Sequence, residues 1–147
     1  MSLIIENLSV RFGRRRAVSE VTVDAAGGKI ICVLGPNGSG KTTLLRTIAG
    51  LLRPSSGDVR FAGSRLDQLP PRVRAARVSW VPARSFVAGG VTLEDVVTQG
   101  RYALGPSARR IDEAIAAVDL DDRRCDRWHA LSAGMRQRAT LARALAQ

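Results

Sequence analysis

One stretch limits this chain more than any other: KIICVLGPNGSGKTTLLRTIAG, Lys29 to Gly50. A short apolar run, KIICVL, leads into a glycine-rich loop. The loop leads into TLLRTIAGLL, where Leu and Ile recur at helical spacing. A run that is apolar without alternation is expected to be a strand covered on both faces, as in a parallel sheet. Strand, glycine loop and helix in that order predict an α/β core.

The loop GPNGSGKT, Gly35 to Thr42, fits G-x-x-x-x-G-K-[ST], with a strand expected before it and a helix after it. Glycines let successive backbone N–H groups turn inward. The helix expected from about Gly40 adds the positive end of its dipole at the same place. Lys41 brings a cation to the outer phosphates, Thr42 a hydroxyl for Mg²⁺, and Thr43 a hydroxyl for phosphate. Hydrogen bonds to charged groups contribute about 1.5–3 kcal/mol each. The nine residues Gly35, Pro36, Asn37, Gly38, Ser39, Gly40, Lys41, Thr42 and Thr43 are therefore expected to hold a nucleoside triphosphate. The motif does not say what the nucleotide is used for.

LIIENLSVRF and AVSEVTVDA are apolar at near-alternate positions and predict half-buried strands. AAGG, Ala25 to Gly28, is a turn. RPSSGDVRFAG brings a turn and a short strand, and RVSWVP, closed by Pro82, predicts another. From Thr92 the pattern is helical. Thr92 caps LEDVVTQGRYAL, and Asp95 three residues later completes a capping box. ARRIDEAIAAVDL predicts a second helix and the segment from Ala133 a third. The division expected is a nucleotide-binding α/β core over 1–84 and a helical subdomain over 85–147.

A chain of 147 residues suits one domain or most of one. Aromatics are 4% and apolar residues 45%, so the core must be built from Val, Leu, Ile and Ala. The net charge of +10 is nearly all arginine; Lys29 and Lys41 are the only lysines. The basic residues are spread along the chain apart from Arg14–Arg16, which reads as a solvated surface and not a nucleic-acid patch. Cys32 is expected to be buried in the apolar run, and Cys125 lies in polar DDRRCDRW. Neither has metal spacing or a disulfide framework, which fits a reducing compartment. No apolar run reaches membrane-spanning length. The N-terminus MSLIIENLSV has no basic region and carries Glu6, so it does not read as a signal peptide. A cytosolic protein is expected.

LSAGMRQR, Leu131 to Arg138, reads first as a helix start: Ser132 at the N-cap, small Ala133 and Gly134, then helix. That end also suits an anion. Two phosphate-binding helix ends separated by a helical stretch suggest two copies facing each other with two nucleotides between them.

With the phosphate loop and LSAGM in this order, the whole chain resembles the ATP-binding subunits of ABC transporters. The resemblance implies a P-loop fold, a parallel sheet plus an N-terminal antiparallel β part and a helical subdomain, using ATP and Mg²⁺. Phe12 in VRFGRRRAV matches the aromatic that stacks on adenine, where Tyr is commoner. Ser132 and Gly134 match contacts to the γ-phosphate of ATP held by the opposite subunit. Ala133 stands for the first Gly of the family's LSGGQ, and Met135 for its Gln.

Two departures stand out. WVPARSF places Ala83 where the family has a glutamine that touches Mg²⁺ and the attacking water and couples to the membrane subunits. Arg84 and Ser85 are the neighbouring polar side chains that could substitute. In the family, LARALAQ runs into an apolar strand ending in Asp-Glu, followed later by a switch histidine. The 147 residues do not include them, so the catalytic residues stay unassigned. AIAAVDLDD, Ala114 to Asp122, lies before the signature and has helical spacing. His129 also precedes the signature and reads as a surface or packing residue. The chain reads as a subunit cut before its catalytic strand, without the C-terminal part of the usual fold. Such a chain is expected to be inactive alone and marginally stable.

The partners implied are a second ATP-binding subunit, integral membrane permease subunits and an extracytoplasmic substrate-binding protein, with the chain peripheral on the inner face of the cell membrane. No nucleic-acid partner is expected. VTLEDVVTQGRYAL is similar to segments in importers of iron chelates, haem, cobalamin, zinc or manganese, which points to import of a metal or metal chelate. Two alternatives stay open: a module that binds ATP without hydrolysing it, and a soluble ABC protein outside transport.

Overall fold

The computed structural model describes residues 2–83, 85, 87 and 89–147. The chain divides into two compact units, with the division between Arg74 and Ala75. The sequence placed it between 84 and 85. The segment after Arg74 goes with the helices instead: Ser79 Oγ, for example, donates to the carbonyl of Ala144 at 3.2 Å.

In the first unit, β1 (Ser2–Phe12) and β2 (Arg15–Ala26) form an antiparallel hairpin. β3 (Ser56–Phe61) and the short β4 (Ser64–Arg65) extend it to a sheet of order β2-β1-β3-β4. Alternation supplies the buried face: Ile5, Leu8 and Val10 from β1, Val18 and Ala25 from β2, and Val59 from β3. The β1–β2 register breaks between Ile5 and Leu8. There Asn7 takes a positive φ of 47° and its N–H donates to Thr22 Oγ1 at 3.1 Å. Asn tolerates this conformation because its short polar side chain can bond locally. Gly57 follows from the same irregularity, since a Cβ at its position would run into the backbone of Glu6 and Asn7.

α1 (Lys41–Ile48) is the helix predicted after the glycine loop. It closes where Gly50 turns left-handed, its N–H donating to the Thr47 carbonyl at 3.0 Å. Leu51 N–H then bonds the Arg46 carbonyl at 2.8 Å.

Two predicted strands do not form among the described residues. The run from Lys29 to Leu34 has no regular structure, with Ile30 96% and Leu34 89% exposed and Cys32 also exposed. A doubly covered strand is made by its neighbours, which supply ladder bonds on its edges and side chains on its faces. All pairings in the described sheet are antiparallel, and none includes this run. The antiparallel β part of the expected fold is therefore present, while its parallel part is not seen among the described residues. RVSWVP, residues 77–82, likewise has no ladder.

α2 (Pro71–Ala75) carries the chain across the division. The second unit contains α3 (Leu93–Thr98), α4 (Ala108–Ala116) and α5 (Ala133–Ala146), with one 3₁₀ turn between α3 and α4 and two between α4 and α5. α3 starts with the predicted capping box: Asp95 N–H donates to Thr92 Oγ1 at 3.2 Å, and Thr92 N–H to the Asp95 carboxylate at 2.8 Å. Leu93 and Val97 of α3, Ile115 of α4 and Ala139 and Ala142 of α5 meet Leu120 and Trp128 in one buried cluster. The small residues on α5 let the other helices approach closely. Arginines then tie down carbonyls left free where elements end. Arg138 Nη1 donates to Val118 and Asp119 at 2.8 and 3.2 Å, and Arg101 Nη1 to Ala146 at 3.1 Å.

Candidate nucleotide-binding site

The loop between the apolar run and α1 is built by glycines in conformations that other residues rarely adopt. Gly40 is the clearest case. Its φ is 91°, and a Cβ there would meet the carbonyl of Ala17 on β2. Gly40 is also the N-cap of α1, and it makes no side-chain cap. The α1 ladder opens at Leu44, whose N–H reaches the Gly40 carbonyl at 2.8 Å. The amides of Lys41, Thr42 and Thr43 precede that ladder and have no acceptor among the described residues. They are donors left for an anion.

Lys41 folds over this loop. Its Nζ donates to the carbonyls of Gly35 and Pro36 at 2.7 Å each. An ammonium has three donors, so one remains. Ser39 N–H closes the loop onto the Pro36 carbonyl at 3.3 Å.

Seven of the residues predicted from sequence, Phe12, Asn37, Gly38, Gly40, Lys41, Thr42 and Thr43, line one cavity of about 470 Å³ with Arg15 and Ala17. Gly35, Pro36 and Ser39 line a neighbouring cavity of about 500 Å³, together with Gly40 and Lys41. The Phe12 side chain stands 52% exposed at the end of β1, outside the buried core. Arg15 was missed in the sequence. The available signal was the hairpin itself, because Phe12 and Arg15 are direct partners across its turn. Among the described residues lining the first cavity there is no Asp, Glu or His.

The second predicted site lies in the second unit. Ser132 caps α5, accepting from Met135 N–H at 3.2 Å. Ser132, Ala133 and Gly134 are exposed, and a Cβ on Gly134 would meet nothing within 4 Å. Met135 turns the other way and packs partly buried against the helical core. Ala133, which stands where the family has the first signature glycine, is exposed. Arg136 holds the approach to this end: Nε donates to the Trp128 carbonyl at 3.1 Å and Nη2 to the His129 carbonyl at 2.9 Å. His129 is exposed and Trp128 is buried.

Ala83 lies exposed and shares a cavity of about 300 Å³ with Ser85, Ala133, Arg136 and Gln137. Arg84 is outside the described residues. Ser85 Oγ is engaged with Thr140 Oγ1 at 2.5 Å, and Thr140 in turn donates to the Arg136 carbonyl at 2.8 Å. The Ser85 hydroxyl is thus committed to α5 in this structure.

A family model for the ABC transporter matches residues 18–147. The chain belongs to the ABC transporter family. Among its relatives, the hemin import ATP-binding protein HmuV of Pseudomonas entomophila is 38% identical, over 99% of this chain and 58% of that protein. HmuV of Rhizobium meliloti is 37% identical, over 96% of this chain and 55% of that protein. The sulfate/thiosulfate import ATP-binding protein CysA of Shigella flexneri is also 37% identical, over 99% of this chain and 42% of that protein. The chain spans about half the length of the curated relatives it matches. An ATP-binding subunit of an ABC transporter has the same fold, with a TM-score of 0.87 at 24% identity over 99% of this chain and 62% of that one. An ATP-bound bacterial Atm1-family ABC exporter follows with a TM-score of 0.86 at 23% identity, over 99% of this chain and 27% of that one. The ABC transporter fold thus accounts for the antiparallel sheet, the glycine loop and the helical unit. Among the described residues, no helix is long and apolar enough to cross a membrane.

Proposed function

We propose that this chain is the nucleotide-binding part of an ABC importer's ATP-binding subunit, holding ATP at the loop from Gly35 to Thr43. One observation carries this: exposed Phe12, the unpaired amides at the start of α1 and the Lys41 ammonium open onto a single cavity. The aromatic offers a face to the base, and the amides and ammonium offer donors to the phosphates. Thr42 has an exposed hydroxyl in the same cavity, which fits Mg²⁺ held mainly by phosphate oxygens and water. When bound, Mg²⁺ would neutralise charge on the phosphates.

In this proposal the Ser132–Gly134 end of α5 takes the γ-phosphate of ATP bound to a second copy, so that nucleotide closes two subunits together. Closing and opening drives permease subunits in the membrane, which places the chain on the cytoplasmic face. The hemin import relatives support a metal chelate as cargo, fed by an extracytoplasmic substrate-binding protein. A sulfate/thiosulfate import relative is matched at the same 37% identity as one of the hemin import relatives, so the cargo reading rests on the number of hemin relatives and not on identity alone.

Binding without turnover is a second reading. It is favoured by Ala83, which stands exposed where the family has a glutamine and offers no polar group. A single preparation separates the two. With MgATP, and with this chain joined to the C-terminal half of a relative such as HmuV, the importer reading predicts nucleotide-dependent dimers, weakened by Ser132→Ala, together with phosphate release. Dimers without phosphate release support binding alone, and no ATP-dependent change in mass by light scattering contradicts the closing of two copies.

A further inference from the structure

The phosphate cavity holds two cations, Lys41 and Arg15, and only Lys41 belongs to the glycine loop. Arg15 sits opposite Phe12 in the β1–β2 register. Directly opposed residues of an antiparallel pair present their side chains on the same face. That is why the aromatic and the guanidinium open onto one space. Arg16, one residue further, lines the neighbouring cavity instead.

Arg15 has the freedom to meet a ligand. The recorded ion pairs of the first unit join Arg60 and Arg65 to Glu6, Asp58 and Asp67, and among the described residues none involves Arg15. Lys41, by contrast, spends two of its three donors on the loop's own carbonyls. A triphosphate carries more negative charge than one partly committed ammonium neutralises. A guanidinium presents a planar fork of donors that matches phosphate oxygens.

Resting on the nucleotide-binding proposal, we infer that Arg15 is a second phosphate-binding cation of this site, reaching the polyphosphate from the β1–β2 hairpin. Its role is affinity for the phosphate tail and not recognition of the base.

The test is equilibrium titration of the full chain and its variants with MgATP and with inorganic tripolyphosphate, each fold checked by circular dichroism. Arg15→Ala is expected to weaken both ligands by about tenfold, the loss of one charged hydrogen-bonding partner. Arg15→Lys keeps the charge without the fork and recovers part of that loss. Arg14→Ala removes the same charge from the exposed turn of the hairpin, at a residue that lines neither cavity, and is expected to change either affinity by less than about twofold, because a solvated charge is screened. Equal effects of Arg15→Ala and Arg14→Ala overturn the inference. Weakened ATP with unchanged tripolyphosphate places Arg15 at the base and also overturns it. A folded parent chain that binds neither ligand overturns the nucleotide-binding proposal itself, and this inference with it.

Discussion

Gly40 is where local geometry and chemistry meet. Its φ of 91° and the nearby Ala17 carbonyl leave no room for a side chain, yet it is the residue from which α1 launches its free amides. Gly40→Ala is expected to cost more than about 1 kcal/mol of stability, measured as a lower denaturant midpoint, and to weaken nucleotide binding with it. Phe12 makes a different prediction. It is half exposed and contributes little to the core, so Phe12→Ala should leave the melting curve nearly unchanged. It should reduce ATP affinity by about 1–3 kcal/mol, the worth of a base stacked on an aromatic in nucleic-acid systems. Tripolyphosphate affinity should not move, and an equal loss for both ligands would contradict stacking. At this scale the sequence was informative where chemistry is local. Lys41, Thr42 and the glycines are read from spacing alone. Arg15, Arg101 and Arg138 were not, because their partners lie across a hairpin or tens of residues away, and arginine carries no local pattern that says so.

Helix starts in the second unit were legible for the same reason. A cap is a contact between residues three apart, and both Thr92–Asp95 and Ser132–Met135 form as predicted. The Asp95 carboxyl is held below the usual carboxylate range by the Thr92 backbone N–H first and by its hydroxyl second. A carboxyl depressed by folding lends its stability above its unfolded pKa. That stability is lost as pH falls through the lower folded value. Acid titration should therefore loosen α3 only in the carboxylate range and below, and Asp95→Asn should flatten that part of the stability curve. An unchanged acid limb in the variant would contradict the capping role. Ser132→Ala should cost about 1 kcal/mol as a lost N-cap. Strands were read less well. β1 and β2 form because each has an adjacent partner in sequence. KIICVL and RVSWVP have strand-like composition, but strand formation depends on neighbours, and none among the described residues pairs with them.

At the scale of the whole chain, the apolar run preceding the loop is the weak point. Ile30, Ile31 and Leu34 are all exposed, as are Leu141 and Leu145 on α5. Exposed apolar runs of β-prone composition favour association with other chains. The 147-residue chain is expected to melt at low temperature or to aggregate on heating. Ile30→Lys with Leu34→Lys should raise its solubility without reducing helix content by circular dichroism. A cooperative melt at high temperature would contradict this. The measurement that tests the central claim most directly is calorimetric titration of the folded chain with MgATP, alongside Lys41→Ala. The predicted result is saturable binding of about one nucleotide per chain, weakened at least tenfold in the variant as a charged hydrogen-bonding partner is lost. Binding that is absent, or that is indifferent to the loss of the Lys41 ammonium, would contradict it.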